Sequence, residues 1–547
     1  MNLLADVIIP IALVTVSYAL CLVIGSLYRR LFPHLRHLPG PKNPHLLYGN
    51  FIEISEDDTA STHEKWAEKY GQTYRLNGLL KANILVTQDL KAIHHILRYS
   101  EEVYHKPDVA RAAISRLLGD GLLVVEGEKH KMQRRVMNPA FGPIQIRALT
   151  EIFVDKSLEL RDYWMREIQK SSNKEVIVGA GLSKMTLDVI GRAGESNQRF
   201  SQSFALQLNV NHPTIGFNYD FEALSGGANS ELSRAFAAVF GNFNRTILDF
   251  LRTQFVIFRN LPANPVFRNA RGLMDRIGNE LLQDAKEVAR SSEKQDGLIW
   301  THNLPDHQRM SDEDVLAQIP TFFVAGHETT STSTTSAIYI LTQHKDVQAK
   351  LRQELLAVGT DSPSMDELSA LPYLDAFVRE VLRLHAPVTF IARAAVKDDI
   401  IPLKEPVIDV NGKTLTELHV KKGQLIQIPI QSMNKDKKLW GEDAWEFKPE
   451  RWGKEPEAAT KFQVYGVIFL HSLVVLELVL AGGSPSSSEM KAILFTLIRA
   501  FEFDLAVPKE DVTFKRPLMV SLSRPMAKSH LPERRLPVTL TPVTRDN

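Results

Sequence analysis

Apolar and charged positions recur at helical spacing along most of this chain. Residues 343–357 and 489–499 each place apolar side chains three and four apart with charged ones between, which predicts amphipathic helices that share a core. Residues 319–341 are apolar at first and then hydroxyl-rich, with Glu328 as their one acid, and read as a buried helix. β-type stretches are short, at 83–87 and 424–430, and no internal repeat is visible, which argues against a solenoid. The pattern predicts a mainly α fold with a minor β-sheet.

The N-terminus reads differently. Residues 7–27 form an uncharged apolar run, close to the ~20 residues a helix needs to cross the hydrocarbon core. Arg29 and Arg30 follow it and Asp6 precedes it, which sets the body that follows in the cytosol. A cleaved signal peptide is the rival reading, but the run is longer than a usual apolar h-region and has no small-residue cleavage pattern ahead of its arginines. The expected organisation is a single-pass membrane anchor over 1–28, a Pro-rich hinge over 29–41 containing Leu38-Pro39-Gly40-Pro41, and one catalytic domain over 42–547.

Charge and cysteine content narrow the classes. With 65 Lys+Arg against 64 Asp+Glu the formal net charge is +1, which gives no general basic surface for nucleic acid. The single cysteine, Cys21, lies inside the apolar run and excludes an internal disulfide framework or a Cys-rich zinc site. The scarcity of cysteine suits a body facing a reducing compartment.

Candidate chemistry sits in the C-terminal half. In Ala325-Gly326-His327-Glu328-Thr329-Thr330 the small residues leave space beside the backbone, a threonine hydroxyl can bond a preceding carbonyl or a ligand, and Glu328 can relay protons. A hydroxyl-rich core helix with one poorly solvated acid fits the same residues. Glu380 and Arg383 are three apart on a helix, crowded by Val381, Leu382 and Leu384 and stopped by Pro387. Such a pair can recruit Arg451, from Pro449-Glu450-Arg451-Trp452, into a buried triad with fork geometry.

Taken in order, the Pro-rich hinge, Gly127-Glu128-Lys129-His130 through Arg134-Arg135, Pro139-Ala140-Phe141, the Ala-Gly-X-Glu-Thr-Thr helix, Glu-X-X-Arg, and Trp440-Gly441 leading to Pro-Glu-Arg-Trp cover nearly the whole chain. Together they resemble the cytochromes P450, heme-thiolate monooxygenases, and specifically membrane-anchored fungal members. The resemblance implies a P450-like fold, heme b, electrons from NADPH-cytochrome P450 reductase, an endoplasmic reticulum membrane location and a lipophilic small-molecule substrate, with terpenoids of secondary metabolism among the candidates. Apolar residues around Val388, Phe390 and Ile391 suit a greasy pocket. By the same resemblance Glu328 and Thr329 match the proton-delivery and oxygen-activation pair, and Glu380, Arg383 and Arg451 match the structural triad behind the heme. His130, Arg134 and Arg393 match propionate-binding positions, His130 standing where the family usually has tryptophan.

One element of the family pattern is missing. A Phe-X-X-Gly-X-Arg-X-Cys-X-Gly loop should supply the axial thiolate, yet residues 467–488, between Tyr465-Gly466 and Glu489-Met490-Lys491, contain no cysteine. Regrouping each codon of 467–487 so that its first two bases follow the last base of the codon before permits the reading G-H-L-P-S-F-P-G-G-P-R-T-C-I-G-W-R-F-A-L-I, a complete heme-binding signature. The segment therefore reads as translated out of frame. Likewise Gly194-Glu195-Ser196 can be encoded with a splice donor and Ile215-Gly216 with an acceptor, so 195–215 reads as a retained intron, an ordinary polar loop being the alternative. His471 is the one imidazole in the altered segment and suits a core position better than ligation, so no metal ligand is assigned. The chain as written is expected to be inactive; the alternatives are a non-catalytic P450-fold protein and a membrane-anchored helical protein unrelated to oxygen chemistry.

Overall fold

A computed structural model of the chain describes residues 34–57, 61–137, 143–192, 221–225, 265–292, 310–454, 485–515, 524–527 and 536–543, together with Val14 and Ser17. The rest of the apolar run 7–27, the whole of 195–215 and residues 467–484 lie outside the described residues. Among the described residues no helix is long and apolar enough to cross a membrane.

The principal helices are α1 (Phe51–Glu56), α2 (Thr62–Tyr70), α3 (Leu90–Arg98), α4 (Asp108–Leu118), α5 (Gly127–Met137), α6 (Pro143–Lys170), α7 (Val178–Arg192), α8 (Pro265–Ser292), α9 (Asp312–Gln343), α10 (Lys345–Leu356), α11 (Pro372–Leu384) and α12 (Pro485–Ala500). The strands are β1 (Thr73–Asn77), β2 (Asn83–Thr87), β3 (Tyr104–His105), β4 (Glu175–Ile177), β5 (Ile391–Ala395), β6 (Asp399–Ile408), β7 (Thr414–Val420), β8 (Leu425–Ile428), β9 (Phe501–Leu505), β10 (Val512–Lys515), β11 (Arg524–Ala527) and β12 (Pro537–Pro542). The chain divides into two compact units, Met1–His105 with Ala392–Pro429, and Lys106–Ile391 with Ile430–Asn547.

The first unit is built on a sheet of order β1-β2-β8-β5-β3, with the β6–β7 hairpin beside it in sequence. β1 alternates polar and apolar residues so that Tyr74 and Leu76 are fully buried against Trp66 of α2, while β2 pairs with it in antiparallel register from Thr73↔Thr87 to Asn77↔Asn83. The strand expected at 83–87 is β2. The one expected at 424–430 is shorter, because Pro429 has no N–H to give a ladder and Ile430 begins a helical turn, Ile430–Met433. The Pro-rich segment is fastened to β1: Arg75 donates its backbone N–H to the Pro39 carbonyl at 2.9 Å and its Nε–H to that of Leu38 at 3.0 Å. A Cβ at residue 40 would stand 2.0 Å from the Arg75 carbonyl oxygen, so only glycine permits this approach.

In the second unit α9 packs against α7, α8, α11 and α12. Ser311 caps it by accepting the Asp314 N–H at 3.1 Å, and Asp312, Glu313 and Asp314 complement the positive end of its dipole. Leu160, Trp164, Leu182, Phe377, Ile493 and Phe495 sit in the core beside it. The helices expected at 319–341, 343–357 and 489–499 correspond to α9, α10 and α12. Residues 485–488, a Pro/Ser stretch that composition alone would read as loop, form the first turn of α12, where Pro485 needs no N–H. α11 ends at Leu384, ahead of Pro387.

Candidate functional site

Glu380, Arg383 and Arg451 come together as a buried cluster. All three are nearly inaccessible. Arg383 grips Glu380 with both arms of its fork, Nε–H to Oε2 and Nη2–H to Oε1, each at 2.8 Å. Its remaining donors reach the carbonyls of Asn434 and Ala444, both at 2.6 Å, and of Glu446 at 3.2 Å. All five guanidinium N–H groups are thus engaged, which is what offsets taking the charge out of water. Arg451 donates to Glu380 at 3.4 Å, to the Trp440 carbonyl at 3.0 Å and to the Asp443 carboxylate at 2.6 Å. Glu380 also accepts from the Trp452 indole at 3.1 Å and the Lys448 backbone at 3.0 Å. The hydrogen bonds from Arg451 and Lys448 hold Asp443 down at about 2.

Asp443 and the Trp440/Trp452 pair, whose rings lie 5.7 Å apart, belong to this cluster although sequence reading did not select them. Trp440 and Trp452 stand inside the quoted motifs, so proximity in sequence was an available signal. Asp443 offered none, since its partner Arg451 reaches it only after the chain has turned.

The second cluster lies on α9. The Thr329 hydroxyl donates to the Ala325 carbonyl at 2.5 Å, one turn back on its own helix. Glu328 is buried, and its Oε1 is 3.7 Å from His327 Nδ1. The other ring nitrogen of His327 meets the Ser183 hydroxyl of α7 at 2.7 Å, and Thr186 donates to the His327 carbonyl at 3.2 Å. Space at Gly326 is taken up by α7: a Cβ there would lie 3.0 Å from Ile190 Cδ1. The glycine expected to leave room beside the backbone therefore serves close helix packing.

Residues 329–336 are eight consecutive Ser and Thr, all buried. Several bond back along the helix, as Ser333 does to the Thr329 carbonyl at 2.8 Å and Thr335 to that of Ser331 at 2.6 Å. Thr330 instead donates to Glu489 Oε2 of α12 at 3.1 Å. Burial pushes Glu489 up to about 8, the Thr330 hydrogen bond opposing it, so near neutral pH the acid is mostly protonated. Among the described residues Glu489 Oε1 and the hydroxyls of Thr332 and Thr334 have no hydrogen-bond partner.

α5 carries the expected anion-binding residues. Lys129 pairs with Asp314 at 2.7 Å and Gln133 donates to it at 3.2 Å, tying α5 to the start of α9. Burial works to raise Asp314, but the hydrogen bonds from Lys129, Ser311 and Gln133 outweigh it and hold the carboxyl below its ordinary value. His130 is buried on this helix, and Arg134, one turn further, is half-buried with no hydrogen bond or ion pair among the described residues. Arg393 belongs to the first unit, buried on β5, with Nη1 donating to the Ala392 carbonyl at 3.0 Å.

Comparison with known proteins bears on the same residues. The family profile described as Cytochrome P450 matches residues 39–466, ending one residue before the cysteine-free segment. Cytochrome P450 monooxygenase 205 of Postia placenta is 42% identical over 98% of both chains. Cytochrome P450 monooxygenase 128 of the same fungus is 43% identical over 91% of this chain and 90% of its own. Ganoderic acid synthetase CYP5150L8 of Ganoderma lucidum is 31% identical over 86% of this chain and 88% of its own. With the Glu-X-X-Arg cluster assembled, the acid and threonine side by side on a buried helix, and relatives similar from end to end, the chain belongs to the cytochrome P450 family.

Proposed function

We propose that this chain derives from a membrane-anchored fungal monooxygenase acting on a lipophilic small molecule, and that in its present sequence it cannot turn over. The observation that carries both halves is the contrast across residue 466. Before it the polar clusters are assembled and the family profile matches; after it, 467–488 hold no cysteine. The name of the Ganoderma relative, an enzyme making ganoderic acid, supports secondary metabolism and a terpenoid-like substrate. Partners on this reading are NADPH-cytochrome P450 reductase and the endoplasmic reticulum membrane, reached through a single-pass anchor over 1–28 with the body in the cytosol.

Heme is the family's cofactor, and its fit can be judged from residues in hand. Arg134, half-buried and unpaired among the described residues, offers the donors a propionate needs, with buried His130 on the same helix as a further holder. The anion-holding side fits. The ligating side does not: Cys21 is the only thiol and lies in the apolar run. Heme, when bound through a thiolate, would supply oxygen activation. This chain's own contributions are to hold a proton at Glu328, to orient a hydroxyl at Thr329, and to brace residues 434–446 through Glu380, Arg383 and Arg451.

A second reading, a P450-fold protein without catalysis, is favoured by the missing cysteine alone. Sequencing the transcript across 195–215 and 467–488 separates the two. A transcript encoding the alternate frame supports the enzyme, and one matching the present chain supports the non-catalytic protein. Expression of the chain with the alternate frame restored and 195–215 removed should recover heme retention and a thiolate-type carbon monoxide spectrum. The same spectrum from the present chain would overturn the assignment.

A further inference from the structure

His327 occupies the variable position of the Ala-Gly-X-Glu-Thr-Thr motif, where its ring is turned toward α7. Its Nε2 is 2.7 Å from the Ser183 hydroxyl and its Nδ1 is 3.7 Å from Glu328 Oε1, so one imidazole stands between a hydroxyl and a carboxyl. His327 and Glu328 are buried, whereas Ser183 is half-buried, which leaves the hydroxyl as the end nearer water. Thr186 fixes the His327 backbone and Ile190 packs on Gly326, so the crossing is rigid where the ring sits.

We propose that His327 is the proton-exchange partner of Glu328, joined with Ser183 in a hydroxyl–imidazole–carboxyl relay entering from the α7 side. In the resting relay Nε2 accepts the Ser183 O–H and Nδ1 carries the proton aimed at Glu328. One proton taken up from water at Ser183 Oγ displaces the hydroxyl proton onto Nε2, and the Nδ1 proton passes to the Glu328 carboxylate. The charge gained equals the proton taken up. The ring is left with its proton on Nε2, and exchange with water, which takes one proton from Nε2 by way of Ser183 and returns one to Nδ1, restores the resting tautomer with no net change in charge. Because 3.7 Å exceeds hydrogen-bond length, transfer requires Glu328 to rotate toward the ring.

Other charged groups on elements packed against this stretch are engaged elsewhere. Asp188 of α7 accepts the N–H groups of Ala223 and Leu224, and Lys184 lies over the Tyr163 ring. Arg192 pairs with Glu159, Glu489 of α12 with Thr330, Lys491 with Asp375, and Arg383 of α11 with Glu380. On α8, Arg271 pairs with Asp275. Glu328 is thus the carboxyl in contact with this imidazole.

The proposal rests on Glu328 as a proton-delivery group, but its test does not need turnover. The full chain is titrated by infrared spectroscopy, and the Glu328 carboxyl band is taken as the difference between the chain and Glu328→Gln. Loss of the imidazole in His327→Gln should raise the Glu328 midpoint by about one pH unit, a tenfold change in proton affinity, because the charged form loses its donor. Ser183→Ala should raise it by less, and Ser183→Thr should restore it. A midpoint unmoved in His327→Gln, or a Ser183→Thr variant that behaves like Ser183→Ala, overturns the relay. Should His327→Gln fail to fold, the Ser183 pair decides alone. Oxygen-to-product coupling of Glu328→Gln in the frame-restored chain reports on the delivery role by itself, so the two readings fail separately.

Discussion

The two polar clusters of the second unit differ in how completely their hydrogen bonds are made. Around Glu380 every donor of Arg383 has an acceptor and both carboxylate oxygens take more than one bond. Where α9 meets α12, the carboxyl of Glu489 keeps one oxygen without a partner among the described residues, and the hydroxyls of Thr332 and Thr334 on α9 have none either. Both regions are buried, so exposure does not account for the difference. The Glu380–Arg383 pair, saturated although the neighbouring Trp440 indole N–H has no partner among the described residues, has no remaining capacity to bind or to exchange protons and acts as a brace. An incompletely satisfied stretch can still take up water, ligand or proton, which is why the acid and alcohol side chains of α9, rather than the tighter cluster, are the place to look for chemistry.

The largest expected effect tests the saturated side. Arg383→Ala leaves Glu380 a buried charge without its main partner and strands three carbonyls, at a cost of about 3–5 kcal/mol. Denaturant unfolding of the variant should show it, and a midpoint close to the parent's would mean that the cluster is not a brace.

Glu489 provides the next test, from the unsatisfied side. Its folded-state value of about 8 lies above the ordinary 4.5, so between those values the folded chain holds a proton that the unfolded chain has lost. Its contribution is therefore fully present below pH 4.5 and is lost as pH rises to 8, by on the order of 5 kcal/mol in total. Glu489→Gln should remove that slope from a stability-against-pH curve. An unchanged slope would show that the acid is solvated.

Asp443 works in the opposite sense. Held at about 2, below the ordinary 3.8, it stabilises the fold above pH 4 and loses that contribution as pH falls toward 2. Asp443→Asn should cost about 1–2 kcal/mol near neutrality and nothing in acid. Equal loss at both ends would assign the effect to packing instead of charge.

The smallest effect sharpens the contrast most. Thr334→Val replaces a buried hydroxyl that has no partner among the described residues, so stability should change by less than about 0.5 kcal/mol or rise slightly. A cost above about 1.5 kcal/mol would reveal a bound water or ligand on that hydroxyl.

Sequence alone determined the parts of this protein that follow from local spacing. Helical periodicity marked α9, α10 and α12, Pro387 marked the end of α11, and the i, i+3 spacing put Glu380 and Arg383 on one face. The cysteine count showed that residues 467–488 hold no thiol. Tertiary structure decided what depends on chain segments meeting once the chain has turned back on itself. It brought Asp443 to Arg451, Ser183 to His327 and Thr330 to Glu489, assigned Gly326 to packing against Ile190, and fastened Leu38-Pro39-Gly40-Pro41 to β1. The physical reason is the range of the interactions: propensity and periodicity act over a helical turn, whereas burial and hydrogen-bond satisfaction are set by whichever residues the packed core brings within a few ångströms.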